Sequence, residues 1–223
     1  MEILFDTANL AHIEAMTPIY PVAGVTTNPS ILRLEGRIDF YQHFRRIREV
    51  IGRERTLHVQ VLALDAEGII DDAHRLMEMI DADVYAKIPT TEPGIQAMRV
   101  LREEGIKVTA TAIYSKTQGI LAIAAGANYI APYFNRMESL DIDTVSTIKS
   151  LSKFIARHGS DCKIMAASFK NVAQVSAAFE AGAQAVTLPP QLLRAALSTP
   201  DVTTAVQVFA SDWRATFGTD GLP

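Results

Sequence analysis

One lysine, Lys87, interrupts an apolar run, Val84-Tyr85-Ala86-Lys87-Ile88-Pro89, that reads as a buried strand. Lysine is almost never fully buried unless it is paired or used, because removing an ammonium from water costs several kcal/mol. Two readings follow. Lys87 either sits at a sheet edge and snorkels its charge to solvent, or it lies inside as a neutral amine, which is a nucleophile toward carbonyls. Its company decides between them. Polar residues recur where the other apolar strands end: Asp6, then Thr26 with Asn28, Gln60, Thr111, Tyr133 with Arg136, and Ser168 with Lys170. Singly they have ordinary explanations: Asn28 as a helix cap, Thr111 as a β-branched strand residue, Tyr133 as a half-buried aromatic, Arg136 and Lys170 as solvated charges. Seven strand ends carrying such groups together point to a site.

The chemistry of that set is Schiff-base formation, in which a protonated imine on Lys87 acts as an electron sink for breaking a neighbouring carbon-carbon bond. Tyr133, through a water held by Gln60 and Thr111, suits the proton transfers of such a cycle, and Asp6 suits removal of the proton from the hydroxyl at the breaking bond. Two cations and a hydroxyl, Arg136, Lys170 and Ser168, fit a phosphate near a helix start.

The elements that must position these groups follow from periodicity. Strands are expected over 3–6, 23–27, 57–64, 84–89, 108–114, 129–133, 163–169 and 185–188. Helices are expected over 10–16, with Asn9 as a candidate cap, and over 40–51, 66–80, 93–104, 116–125, 143–158, 173–181 and 191–197. Eight strands alternating with eight helices, one unit every ~28 residues, predict an α/β fold, a closed (β/α)8 TIM barrel. An open doubly wound sheet is the alternative, but Asp6-Thr7-Ala8-Asn9 after the first strand lacks the glycines of a phosphate loop. Alternation in such a barrel points Tyr85 and Lys87 inward, with Val84, Ala86 and Ile88 toward the helices. By the same count Gln60 shares a face with His58 and Leu62, and Thr111 with Thr109.

No linker or low-complexity tract divides the chain, so residues 1–223 are expected to form a single barrel domain. Beyond the eighth unit, an extra C-terminal helix over 201–217 carries Val202, Val206, Phe209, Trp213 and Phe217 on one face. That face packs either on its own barrel or on a neighbouring subunit. A net charge of -4 and a pI near 5.7 give no reason to bind nucleic acid. The single Cys162 excludes an internal disulfide and a cysteine zinc cluster, and no apolar run reaches the roughly 18 residues needed to span a membrane. Met1 leads directly into Glu2-Ile3-Leu4-Phe5-Asp6 with no basic leader, which predicts a cytoplasmic protein.

Four segments, in order, resemble the transaldolase family. They are Gly24-Val25-Thr26-Thr27-Asn28-Pro29-Ser30, Lys87-Ile88-Pro89-Thr90-Thr91, Ala131-Pro132-Tyr133-Phe134-Asn135-Arg136 and Ala166-Ala167-Ser168-Phe169-Lys170. The resemblance covers residues 1 to about 217 and is to the small single-barrel branch that includes fructose-6-phosphate aldolases. It implies that Lys87 forms the imine, that Asp6 and Asn28 contact substrate hydroxyls, that Gln60, Thr111 and Tyr133 manage the catalytic water, and that Arg136, Ser168 and Lys170 hold the phosphate. It further implies no metal, no organic cofactor, and a homodecamer of two pentameric rings whose C-terminal helices reach a neighbour. Within the family, transaldolases carry Glu and Phe where this chain has Gln60 and Tyr133, and the aldolase branch carries Gln and Tyr. The resemblance therefore favours release of dihydroxyacetone from fructose 6-phosphate over its transfer to an acceptor, with transaldolase as the alternative. A phosphosugar-binding barrel without turnover is the reading from a different class. Two positions depart from the family pattern: Ala86 replaces a larger aliphatic residue, and Met137-Glu138-Ser139-Leu140-Asp141 lacks the glycines often found there.

Overall fold

Each strand of the chain is a short segment feeding a helix, most of them capped, and that repeat closes on itself. The computed structural model describes residues 1–222. Eight parallel strands, β1 (Glu2–Asp6), β2 (Val22–Thr26), β3 (Thr56–Gln60), β4 (Tyr85–Pro89), β5 (Val108–Ile113), β6 (Tyr129–Pro132), β7 (Lys163–Ala166) and β8 (Ala185–Leu188), form a closed barrel in sequence order. The expected (β/α)8 TIM barrel is the observed fold. The helices are α1 (Leu10–Met16), α2 (Pro29–Leu32), α3 (Phe40–Ile51), α4 (Ala66–Met79), α5 (Glu92–Glu103), α6 (Lys116–Ala124), α7 (Phe134–Glu138), α8 (Thr144–His158), α9 (Val172–Glu180), α10 (Pro190–Leu197) and α11 (Pro200–Phe217), with a 3-10 turn at Arg33–Glu35. Side-chain caps start most of the outer ring: Asn9, Asp39, Asp65, Thr91, Ser115, Asp143 and Asn171 each accept an N–H in the first turn that follows.

Two compact units are present, one over Met1–Pro190 and one from Gln191 onward. In the first, Val25, Leu57, Val59, Ala86, Ile88, Ala110, Ile130 and Ile164 are fully buried between strands and helices. The opposite strand faces line the barrel interior, and at Gly24 that interior is tight. A Cβ there would lie 2.2 Å from Thr56 Oγ1 and 2.4 Å from the Thr56 carbonyl, so only glycine lets β2 and β3 pair at this level. In the second unit α11 buries none of its residues, and Trp213 and Phe217 pack with tilted rings whose centroids are 4.2 Å apart.

The structure corrects three expected boundaries. β3 stops at Gln60 rather than continuing to 64, because the Asp72 carboxylate takes the N–H groups of Leu62 and Ala63 (2.8 and 2.9 Å) away from any ladder. Leu62 is consequently a loop residue, 64% exposed, and not an interior neighbour of Gln60. β7 stops at Ala166, so Ser168 and Lys170 lie in the loop that follows, and Ser168 turns into the left-handed region at φ 65°. β5 stops at Ile113, and its pairing with β6 shifts register between Ala110 and Ile113, where Ala112 has φ 57°. α2 and α7 are short helices that periodicity did not single out.

Candidate active site

Lys87 lies mid-strand in a barrel with no free edge, and it is 2% exposed. That removes the edge and snorkelling reading. Its Nζ donates to the Thr27 carbonyl at 3.0 Å, and among the described residues it forms no ion pair. On one side Lys87 is in register with Gln60, on the other with Thr109. Gln60 Oε1 and Thr27 Oγ1 are buried without a hydrogen-bond partner among the described residues. A buried acceptor left in that state costs about 1–3 kcal/mol, which a fold tolerates where a ligand or water completes it.

Asp6 ends β1, and its Oδ1 accepts the Thr26 hydroxyl at 2.8 Å. Thr26 Oγ1 also shares a 2.7 Å hydrogen bond with Thr187 Oγ1, so β1, β2 and β8 are tied together at one level of the interior. Burial pushes the Asp6 carboxyl above its usual range, while the Lys87 charge and the Thr26 hydroxyl pull the other way. A carboxylate raised in this manner is a better base.

On the far wall, Thr111 Oγ1 and Tyr133 Oη share a hydrogen bond of 2.9 Å. Tyr133 packs edge to face on Tyr114 with centroids 5.6 Å apart, the Arg136 guanidinium lies 5.0 Å over the Tyr133 ring, and Arg136 Nη1 donates to Tyr114 Oη at 3.1 Å. The hydrogen bond to Tyr114 raises the Arg136 pKa further, so the guanidinium is a fixed cation at this rim. The end of β6 and the loop after β7 are zipped: Phe134 N–H donates to the Ala167 carbonyl at 2.8 Å and Asn135 N–H to the Ser168 carbonyl at 3.0 Å. Arg136 and the Ser168–Lys170 loop are therefore neighbouring segments. The side chains of Ser168 and Lys170 make no hydrogen bond among the described residues, and Lys170 is exposed. Asp141, in the stretch without glycines, takes the left-handed conformation itself at φ 57° and donates its N–H to the Glu138 carbonyl.

One sequence-predicted residue is engaged elsewhere in part: the Asn28 side chain accepts the Ile31 N–H at 3.1 Å as the cap of α2, the ordinary explanation for it. Beneath Lys87, His58 is fully buried between Thr109 Oγ1 and Thr56 Oγ1, each 2.8 Å from a ring nitrogen, and stacks on Tyr85 at 4.5 Å. Burial, with the charges of Lys87 and Arg48, drives its pKa down to about 3, so the imidazole is neutral. At the opposite end of the barrel, Glu2 closes the interior by accepting Tyr129 Oη–H at 2.8 Å and Lys163 Nζ–H at 2.6 Å. The sequence reading missed Thr187, Tyr114 and the carbonyl of Thr27 as members of the site. Thr187 alone carried a signal, a hydroxyl in the otherwise apolar β8.

Among the described residues, no group of His, Cys, Asp and Glu could hold a metal ion. What the arrangement offers is an amine without a counter-ion, a basic carboxylate, a phenol hydrogen-bonded to a threonine, and a cationic rim.

The family described as transaldolase/fructose-6-phosphate aldolase matches residues 3–221. A protein of Streptococcus pneumoniae named a probable fructose-6-phosphate aldolase is 47% identical over 213 residues, which is 96% of this chain and 96% of the relative.

Proposed function

The chain belongs to the transaldolase/fructose-6-phosphate aldolase family, and from that premise we propose that it is a class I aldolase that reversibly cleaves fructose 6-phosphate to dihydroxyacetone and glyceraldehyde 3-phosphate. The observation that carries this reading is the burial of Lys87 without a counter-charge. The Lys87 amine adds to the C2 carbonyl of the open-chain ketose, and loss of water gives the protonated imine. Asp6 takes the proton of the C4 hydroxyl, the C3–C4 bond breaks, and its electron pair moves into the imine to leave an enamine. Glyceraldehyde 3-phosphate departs, the enamine is protonated at C3, and water hydrolyses the imine to free dihydroxyacetone and Lys87.

Tyr133, hydrogen-bonded to Thr111, is the acid and base at the carbinolamine and enamine steps, and the unpartnered Gln60 Oε1 is an acceptor for the water they share. Thr26 holds Asp6, and Asn28 contacts substrate through the part of its amide not used in the cap. Arg136, Ser168 and Lys170 form the phosphate subsite, with Arg136 fixed against Tyr114 and Tyr133. Gln60 and Tyr133 favour release over transfer, because a glutamine and a phenol present a neutral hydrogen-bonded path for hydrolytic water. Fructose 6-phosphate supplied without any aldehyde acceptor tests this. Free dihydroxyacetone accumulating catalytically supports the aldolase, whereas release only when an aldose phosphate is added contradicts it in favour of the transaldolase.

No organic cofactor enters this cycle. The protein acts in the cytoplasm as a homodecamer, with α11 reaching a neighbouring subunit; the exposed Val206 and Phe209 support that role for the helix. No helix among the described residues is long and apolar enough to cross a membrane.

A further inference from the structure

Gln174 reads from the sequence as one polar residue on an outer helix, yet it is only 8% exposed. Its side-chain amide uses each of its polar groups. Oε1 accepts the Lys170 N–H at 2.8 Å, and Nε2 donates to Asn135 Oδ1 at 3.1 Å and to Glu138 Oε2 at 2.5 Å. Its own N–H donates to Asn171 Oδ1 at 3.0 Å, which sets the first turn of α9. The three partners of the amide belong to two separate segments. Asn135 and Glu138 flank Arg136 on α7, and Lys170 ends the loop that begins at Ser168.

Those segments carry the three phosphate ligands assigned above. α7 is a single five-residue helix with no side-chain cap, and Ser168 holds a left-handed conformation unusual for a residue with a Cβ. Neither is rigid by its own propensity. Backbone bonds from Tyr133, Phe134, Asn135 and Ala167 tie the two segments to the strand ends and to each other, and the Gln174 amide is the side-chain group that bonds to both and ties them to α9. It also engages the one acidic side chain of α7, Glu138, with a neutral donor. Arg136 and Lys170 are left without an ion pair among the described residues, and their charge is available to an anion.

We propose that Gln174 is the positioning residue of the phosphate subsite, holding Arg136 on α7 and the Ser168–Lys170 loop in one geometry through a single amide that bridges both. The proposal rests on the aldolase reading and on the placement of the phosphate at Arg136, Ser168 and Lys170. No other side chain of similar size replaces it. Glutamate keeps the acceptor for Lys170 N–H but loses both donors and opposes Glu138, and methionine loses all three bonds at the same length.

The test is aldol addition of dihydroxyacetone to D-glyceraldehyde 3-phosphate and to D-glyceraldehyde, which differ only in the phosphate, for the full-length wild type, Arg136→Ala, Gln174→Met, Gln174→Glu and the double variant Gln174→Glu with Glu138→Gln. The readout is the ratio of kcat/KM for the two aldehydes, with folding followed by thermal melting. Gln174→Met and Gln174→Glu are expected to lower the ratio about tenfold through KM for the phosphorylated aldehyde, within the ~100-fold that a 1 Å misplacement can cost. The double variant, which exchanges donor and acceptor across the contact with Glu138, is expected to recover most of the loss. If Gln174→Met does not fold, the glutamate variant and its rescue decide. A ratio unchanged in the Gln174 variants but collapsed in Arg136→Ala overturns the proposal and leaves the subsite standing. A ratio near one in the wild type overturns the subsite and the role of Gln174 with it, and no addition to either aldehyde overturns the aldolase reading and everything built on it.

Discussion

At the scale of single residues, the barrel interior is polar where most barrels are filled with branched apolar side chains, and that polarity sets the working charges. Asp6 illustrates the cost. Its carboxyl is raised by burial, so the folded state holds the proton more tightly than the unfolded chain does. The resulting stability is complete below the unfolded value near 3.8 and is lost as pH rises through the higher folded value. Asp6→Asn keeps an acceptor for the Thr26 hydroxyl and removes the charge. It is expected to melt higher than wild type at pH 8, with the difference shrinking as pH falls toward 4, while the cleavage rate drops at least ~100-fold. Thermal melts across pH together with steady-state rates check both halves; a variant that melts lower at pH 8 contradicts the assignment of strain to this carboxylate. His58 behaves in the opposite sense, neutral in the fold because burial disfavours an imidazolium there. The placement of Lys87, Asp6 and Thr111 on strands and of Tyr133 just after one was legible from type and position. Gln174 was not, because a glutamine on a helix carries no mark of burial and two of its three partners lie 36 and 39 residues away.

Elements were legible wherever period and cap agreed, and misread where a side chain intercepted the backbone. α1 and α3 have the expected bounds because Asn9 and Asp39 cap apolar faces of the right spacing. β3 was read too long because Leu62 and Leu64 continue its alternation, and nothing in the local sequence says that Asp72, on α4, takes the N–H groups there. The left-handed Ala112 and Ser168 are equally silent, since neither is glycine and both are held by the surrounding strands. One long-range contact anchors the frame from the other end of the barrel. Arg48 on α3 pairs with Asp81 at 2.5 Å, with side chains 10% and 9% exposed, and its Nη1 also donates to the carbonyls of Gly52 and Arg55. Removing one partner of a buried pair strands the other charge, so Asp81→Ala is expected to lower unfolding free energy by about 3–5 kcal/mol. Denaturant titration measures it, and a loss below ~1 kcal/mol would place this pair with exposed surface bridges.

On the scale of the whole molecule, the closed strand order is what converts scattered polar residues into one site, because only closure brings Asp6 on β1 within reach of Thr187 through Thr26. The repeat of strand and helix made that closure readable; the assembly beyond one chain rests on the proposed role of α11, with Val206 59% and Phe209 69% exposed. A chain ending before Asp201 is expected to sediment as a smaller species than the full-length protein, and an unchanged size contradicts the subunit-bridging role. The central claim is the imine on Lys87. Borohydride reduction of the protein in the presence of dihydroxyacetone, followed by peptide mapping, tests it most directly. A single irreversible adduct on Lys87 with the mass of dihydroxyacetone less one oxygen is expected, with loss of activity in step with it. Full activity after reduction, or an adduct on another lysine with Lys87 unmodified, would contradict it.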